Sequence, residues 1–156
     1  MLQSAWEDAA DLNLCTDAAG TLGFGAYFQG AWIMGTWSPS RIERSIQWKE
    51  LFAIVAAAAT WGSKWQRKKI RVYCDNLAIV QIWKAKNPRD KQLAALCCTL
   101  FFIAAKNHFI ISIQHLPGIN NTIADALSCQ QVQRFRSLVP EAEASPTPTP
   151  AWLTKL

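Results

Sequence analysis

The stretch from Leu12 to Trp37, LNLCTDAAGTLGFGAYFQGAWIMGTW, decides the fold. Apolar, β-branched and aromatic residues run in short segments broken by Gly20, Gly23, Gly25, Gly30 and Gly35, and Ala-Ala-Gly-Thr and Gln-Gly fall at turn positions. That pattern predicts three short antiparallel strands joined by tight turns. Downstream, Ser38 to Arg44 is a polar loop, and Ser45 to Trp61 becomes alanine- and leucine-rich. With Ser45 at the N-cap and Gly62 as a stop signal, this segment predicts a mostly buried helix. A basic linker, Ser63 to Lys69, leads into a strand over Ile70 to Cys74 and a helix from Asn76 to Lys86, ending before Asn87-Pro88. Asp90 caps a second helix to about Lys106, with His108 as its C-terminal cap. The isoleucine-rich Phe109 to His115 reads as a fifth strand closed by Leu116-Pro117-Gly118. Asn120 or Asn121 then caps a last short helix to about Cys129. This order predicts an α/β fold: a mixed five-stranded sheet, three antiparallel strands followed by parallel ones, with helices on both faces.

At 156 residues and 51% hydrophobic, the chain is sized for one domain with a real core. The expected division is an N-terminal extension over 1–11, a domain over 12–130 and a Pro/Thr-rich tail or linker over 131–156. Past Leu138 the composition, Pro-Glu-Ala-Glu-Ala-Ser-Pro-Thr-Pro-Thr-Pro, cannot build a core of its own. Cys15, Cys74, Cys97, Cys98 and Cys129 are odd in number and lack C-x-x-C spacing, so they read as buried, reduced thiols and not as a zinc site. The first thirteen residues have neither the basic n-region nor the apolar h-region of a secretory signal, so the expected location is intracellular, cytoplasmic or nuclear. The apolar runs Leu51 to Trp61 and Leu93 to Ala105 fall short of the roughly 18–20 residues a bilayer span needs and read as buried helices, not membrane anchors. No obligate oligomer is expected.

Among only eleven acids in a chain of net charge +5, Asp17, Glu50, Asp75 and Asp125 sit inside apolar segments. A carboxylate in low dielectric costs several kcal/mol unless cations or donors compensate it. The strand and helix assignments put Asp17 within the first strand, Glu50 early in the first helix, Asp75 at the end of the fourth strand and Asp125 in the last helix. Strand ends and helix starts of such sheets converge at one edge, where α/β folds hold ligands. Four such sites therefore imply one shared cation site. Taken singly, each acid also has a structural reading as a turn residue, helix cap, first-turn acid or ion-pair partner.

Positive charge is concentrated in Lys64, Arg67, Lys68, Lys69 and Arg71, and again in Lys84, Lys86, Arg89 and Lys91, with only Asp75 and Asp90 as acids in that stretch. Such a patch is the footprint of a polyanion or an ordinary solvated face. Trp32, Trp37, Trp48, Trp61, Trp65 and Trp83 read as core residues. Trp65 and Trp83, which flank the basic patch, are the two with a base-stacking alternative.

Cys-Thr-Asp17-Ala-Ala-Gly with Gly-Phe-Gly-Ala, Trp48-Lys49-Glu50-Leu51, Tyr73-Cys74-Asp75-Asn76, and His115-Leu-Pro-Gly-Ile-Asn-Asn-Thr-Ile-Ala-Asp125-Ala-Leu-Ser resemble the ribonuclease H domain of retrotransposon reverse transcriptases. The flavour is that of gypsy-like and tyrosine-recombinase (DIRS-type) elements, over roughly Leu12 to Cys129. The chain departs from many gypsy-like sequences at Cys129, where they carry arginine. The resemblance implies a ribonuclease H-like fold and a metal-dependent endonuclease that cuts the RNA strand of RNA/DNA hybrids. It also implies a place in a retroelement polyprotein, with the polymerase part as neighbour. It maps the family's four acids onto Asp17, Glu50, Asp75 and Asp125, and its mobile histidine onto His115.

Two Mg²⁺ or Mn²⁺ ions are the implied cofactors, since hard oxygen donors select them over zinc, and a metal pair about 3.5–4 Å apart serves phosphodiester hydrolysis. Asp17 would bridge both ions, Glu50 and Asp75 would hold the one beside the leaving 3′ oxygen, and Asp125 the one that activates water. His115 would shuttle a proton or assist product release. Backbone groups of Ala18, Ala19 and Gly20 are expected against the RNA ribose, and Asn76 against a minor-groove edge or sugar. Lys64, Arg67, Lys68, Lys69, Lys84 and Lys86 are expected on phosphates. The alternatives are a non-catalytic nucleic-acid-binding or scaffold relic of this fold, and a DNA-cutting integrase-type relative.

Overall fold

Backbone pairing in the computed structural model, which describes residues 12–85 and 88–156, realises the expected order. The extension expected over 1–11 and the expected phosphate contact Lys86 lie outside the described residues. The strands are β1 (Asn13–Ala18), β2 (Gly23–Phe28), β3 (Ala31–Thr36), β4 (Lys69–Cys74) and β5 (Ile110–His115), arranged β3-β2-β1-β4-β5. β1 and β2, and β2 and β3, are antiparallel; β4 runs parallel to both β1 and β5. Gln29 (φ 48) and Gly30 (φ 87) make the two-residue turn between β2 and β3, both in the left-handed region that matches the twist of a hairpin.

Among the described residues the α-helices are, in chain order, α1 (Pro39–Ile42), α2 (Ile46–Trp61), α3 (Leu77–Ala85), α4 (Lys91–Asn107), α5 (Thr122–Ser128) and α6 (Val132–Leu138). α1 is a single turn within the segment expected as loop, and Pro39 opens it with a φ already suited to a helix. Ser45 Oγ accepts from Trp48 N at 3.1 Å, as an N-cap should. Gly62 does not stop α2 by turning left-handed. It stays helical (φ −56) and leads into a 3-10 turn, and a Cβ there would stand 3.1 Å from the Phe109 ring, so close packing explains the glycine. Asp90 Oδ1 takes the amides of Gln92 and Leu93 at 2.8 and 3.1 Å, and His108 (φ 54) closes α4. Asn121 precedes α5 but makes no side-chain cap; its Nδ2 donates to Thr16 O at 2.9 Å and ties α5 to β1.

One face of the sheet carries the main core, in which Phe24, Phe52, Trp61, Trp65 and Leu100 join β2, α2 and α4. A smaller cluster of Trp32, Leu127, Phe135, Val139 and Ala142 packs α5 and α6 on β3. α2 is buried around nearly its whole circumference because it lies between the sheet and α4. Trp65 and Trp83 are core residues, not stacking platforms, at 0% and 8% exposure. All five thiols are free, but Cys98 is exposed, contrary to the expectation of burial.

The segment expected as a tail or linker, 131–156, packs on the sheet. α6 forms within it, and Val139, Ala142 and Leu153 are buried. Glu143 N donates to Gly30 O at 2.9 Å and Thr147 N to Trp32 O at 2.7 Å, while Trp32 Nε1 donates back to Glu143 O. The segment needs no core of its own because it covers the outer edge of β3, whose carbonyls would otherwise face water. Among the described residues no helix is long and apolar enough to cross a membrane.

Candidate functional site

The parallel arrangement of β1, β4 and β5 brings their carboxyl ends to one side of the sheet, and that side carries the acids. Asp17 lies next to the end of β1, paired with Gly25 of β2. Asp75 follows the last residue of β4, and Glu50 lies in the second turn of α2. Asp125 comes from α5, which lies this close because Gly25 has no side chain: a Cβ there would meet Leu127 Cβ at 2.3 Å. All four line one open cleft of about 560 Å³ with Ala18, Ala19, Ile46, Asn76, Leu77, Ser128 and Cys129.

Ser128 Oγ donates to Asp17 Oδ2 at 2.7 Å, and Asp17 is in hydrogen-bond contact with both Glu50 and Asp75. Donor atoms of Glu50, Cys74 and Asp75 lie within 4.8 Å of one another. Burial, opposed by the Ser128 hydrogen bond and reinforced by the charges of Asp75 and Asp125, raises Asp17 to about 6. Burial, then the charges of Asp17 and Asp75, raises Glu50 to about 9. Asp75 is raised as well, mainly by burial. The buried Cys74 thiol is pushed far up by burial and then by Glu50, so it stays protonated and offers Glu50 Oε2 a weak bond at 3.8 Å.

Asp125 is ion-paired with Arg134 of α6, Nη1 to Oδ2 2.8 Å, and Arg134 also donates to Gln131 Oε1 at 2.9 Å. No described lysine or arginine is paired with Asp17, Glu50 or Asp75. Three crowded carboxyls held above their ordinary range, all hard oxygen donors, make a charge deficit that divalent cations fit. Cys74 Sγ is the one soft atom in that group, beside the carboxylate oxygens of Glu50 and Asp75.

The other expected contacts divide. His115 ends β5 in register with Cys74, is exposed, and its charge opposes the rise of Asp75. Ala18, Ala19 and Asn76 line the cleft, Asn76 using Oδ1 to cap Ile79 N at 3.3 Å. The Gly20 carbonyl is taken by the buried Lys49 ammonium, which also donates to Ile42 O at 2.6 Å and so braces the β1–β2 turn against α1. Lys64, Arg67, Lys68 and Lys69 do not reach the cleft. Lys69 opens β4 and Cys74 ends it, so the six-residue strand places these cations about 17 Å away. Lys84, in the last turn of α3, lines a groove with Trp83, Phe101 and β5. Sequence reading did not assign roles to Ser128, Arg134 or Lys49. Lys49 alone left a trace, as a cation inside an apolar helical run.

No protein-family model matches the chain, and no curated protein does. Solved structures do. The ribonuclease H1 of the halophilic archaeon Halobacterium salinarum covers 78% of this chain and 96% of its own at 16% identity and a TM-score of 0.61. LC11-RNase H1, isolated from compost by a metagenomic approach and solved in complex with an RNA/DNA hybrid, gives the same coverage at 17% identity and 0.62. The N-terminal RNase H domain of a Mycobacterium tuberculosis protein covers 81% of this chain and 99% of its own at 12% identity and 0.58. At such identities the likeness establishes the fold alone, and that fold is ribonuclease H-like.

Proposed function

We propose that the chain is a metal-dependent endoribonuclease that hydrolyses the RNA strand of RNA/DNA hybrids. We place it within a retroelement reverse transcriptase polyprotein, beside the polymerase part. The observation that carries the activity is the meeting of Asp17, Glu50, Asp75 and Asp125 in one cleft. The retroelement context is supported by the four ordered motifs, above all the His115 to Ser128 segment. The fold shared with an enzyme solved on an RNA/DNA hybrid supports the substrate class.

Mg²⁺ or Mn²⁺, as a pair, would supply Lewis-acid stabilisation of the crowded phosphate and a more acidic water. Asp17, in contact with Glu50 and Asp75 and lining the same cleft as Asp125, would hold metal together with all three. Glu50 and Asp75 form one side of the donor set and Asp125 the other. In the step itself a water oxygen gives up a proton as it bonds to phosphorus, the bond from phosphorus to the 3′ oxygen breaks, and that oxygen takes up a proton in its place. The products carry 5′-phosphate and 3′-hydroxyl ends. His115, exposed beside Asp75, is placed to move that proton or to help product leave. Ala18 and Ala19 offer close backbone approach to a ribose, and the Asn76 amide remains free to donate to a sugar or base edge. Lys64, Arg67, Lys68 and Lys69 would meet phosphates about five steps from the cut.

One observation favours the non-catalytic reading: Arg134 supplies Asp125 with a counter-charge from within the chain. A single assay separates the readings. The domain is incubated with Mg²⁺ or Mn²⁺ and labelled RNA/DNA hybrid, RNA duplex or DNA duplex. Hybrid-only cleavage abolished by Asp17→Asn supports the proposal; binding without cleavage supports the scaffold, and DNA cutting supports an integrase-type enzyme.

A further inference from the structure

Ser128 is fully buried at the last position of α5, and its hydroxyl links that helix side chain to side chain with Asp17 of β1. Its Oγ stands 2.7 Å from Asp17 Oδ2 and 3.0 Å from Asp125 O. A hydroxyl has one proton to give. The carboxylate is nearer and ionisable, and a charge-assisted bond is roughly twice as strong as one to a neutral carbonyl, so the proton belongs to Asp17. With Oδ2 so engaged, rotation of the carboxylate is restrained while the side chain stays in contact with Glu50 and Asp75.

We propose that Ser128 is a positioning residue for the cation site, fixing through one hydrogen bond the orientation in which Asp17 presents itself to divalent metal. This deepens the nuclease reading and rests on it for the identity of the ions, but its geometry concerns only this chain's own residues. Two features around the bond support the assignment. Asn121 clamps the other end of α5 to β1 through Thr16 O, so the helix cannot rotate away from Asp17. Gly25 lets α5 lie directly on the sheet, so the donor meets its acceptor without a bridging water. The carboxylate at stake is also the one that touches both Glu50 and Asp75, so a misaligned Asp17 disturbs the whole donor set.

A merely structural Ser128, back-bonded to Asp125 O within its own helix, would leave metal affinity alone when replaced. The test is therefore a metal titration of the full chain with MgCl₂ and with MnCl₂, read as the rise in melting temperature without nucleic acid. Partners that orient a metal ligand typically change affinity by about 10–100-fold when removed. Ser128→Ala is expected to raise the metal midpoint by at least about tenfold while the metal-free protein keeps its far-ultraviolet circular dichroism. Ser128→Thr, which retains the hydroxyl, should keep the wild-type midpoint even if its extra methyl lowers the metal-free melting temperature. With hybrid, Ser128→Ala should lower kcat at wild-type metal levels, leave KM for the hybrid unchanged, and recover at high metal.

A midpoint for Ser128→Ala equal to wild type, with only a lower melting temperature, would overturn the inference. So would wild-type protein that shows no response to either metal. Wild-type protein that binds metal, loses affinity in Ser128→Ala and cuts no hybrid would sink the nuclease reading and leave the positioning role standing.

Discussion

Replacing Glu50 by glutamine should stabilise the metal-free protein at pH 8 while removing its response to metal. Glu50 is only 3% exposed, and burial, then the charges of Asp17 and Asp75, raises its carboxyl from an ordinary 4.5 to about 9. A group with its folded pKa above its unfolded value binds more protons folded than unfolded, so its contribution to stability falls as pH rises through that window. Between pH 5 and pH 8 three pH units at about 1.36 kcal/mol each set a ceiling of about 4 kcal/mol. The cleft is open, and solvent screening there reduces this to about 2 kcal/mol.

Glutamine keeps the shape, cannot ionise, and donates to Asp17 as the protonated acid does. In a chain of this size about 2–4 °C corresponds to each kcal/mol. Melting followed by circular dichroism at both pH values, with metal chelated, should therefore place Glu50→Gln about 4–8 °C above wild type at pH 8 and close to it at pH 5. Added Mn²⁺ should raise wild type at pH 8 and leave the variant where it is. A variant that melts below wild type by the same margin at both pH values would refute the account, since Glu50 would then be an ordinary packed residue.

Asp17→Asn should abolish hybrid cleavage, by at least about a thousandfold if a loss of about 4 kcal/mol in transition-state stabilisation is right, with binding measured by anisotropy retained. Gly25→Ala forces a Cβ into Leu127, so α5 must lift; a loss of about 1–3 kcal/mol and a weakened metal response are expected from melting curves with and without Mn²⁺. Truncation after Leu138 uncovers the β3 edge and removes buried Val139, Ala142 and Leu153; about 2–4 kcal/mol of stability should go, and light scattering should report new association. Neutralising Lys64, Lys68 and Lys69 together should flatten the salt dependence of hybrid binding if these cations meet phosphates, and an unchanged slope would show that they face solvent.

Several features were legible because they are local. The glycine-punctuated segment from Leu12 to Trp37 showed three strands, since turn geometry is set within four residues. Ser45 and Asp90 marked helix starts because a cap bonds to amides two or three positions ahead. The four acids stood out because isolated carboxylates in apolar runs need compensation. The tail was misread for the converse reason: Glu143 and Thr147 bond to Gly30 and Trp32, more than a hundred positions back, so composition alone showed no partner for them.

The sequence by itself determined the order of the five strands and of α2 to α5 and the residue types of the cation site, because both are carried by periodicity, caps and charge in an apolar context. Only the tertiary structure decided that these acids share one cleft, that Lys64 to Lys69 stand at the far end of β4, and that Ser128 and Arg134 hold Asp17 and Asp125. The reason is physical. The parallel placement of β1, β4 and β5 and the seating of α5 on Gly25 bring together side chains as far apart as 111 positions, and no local pattern encodes a hydrogen bond of that span.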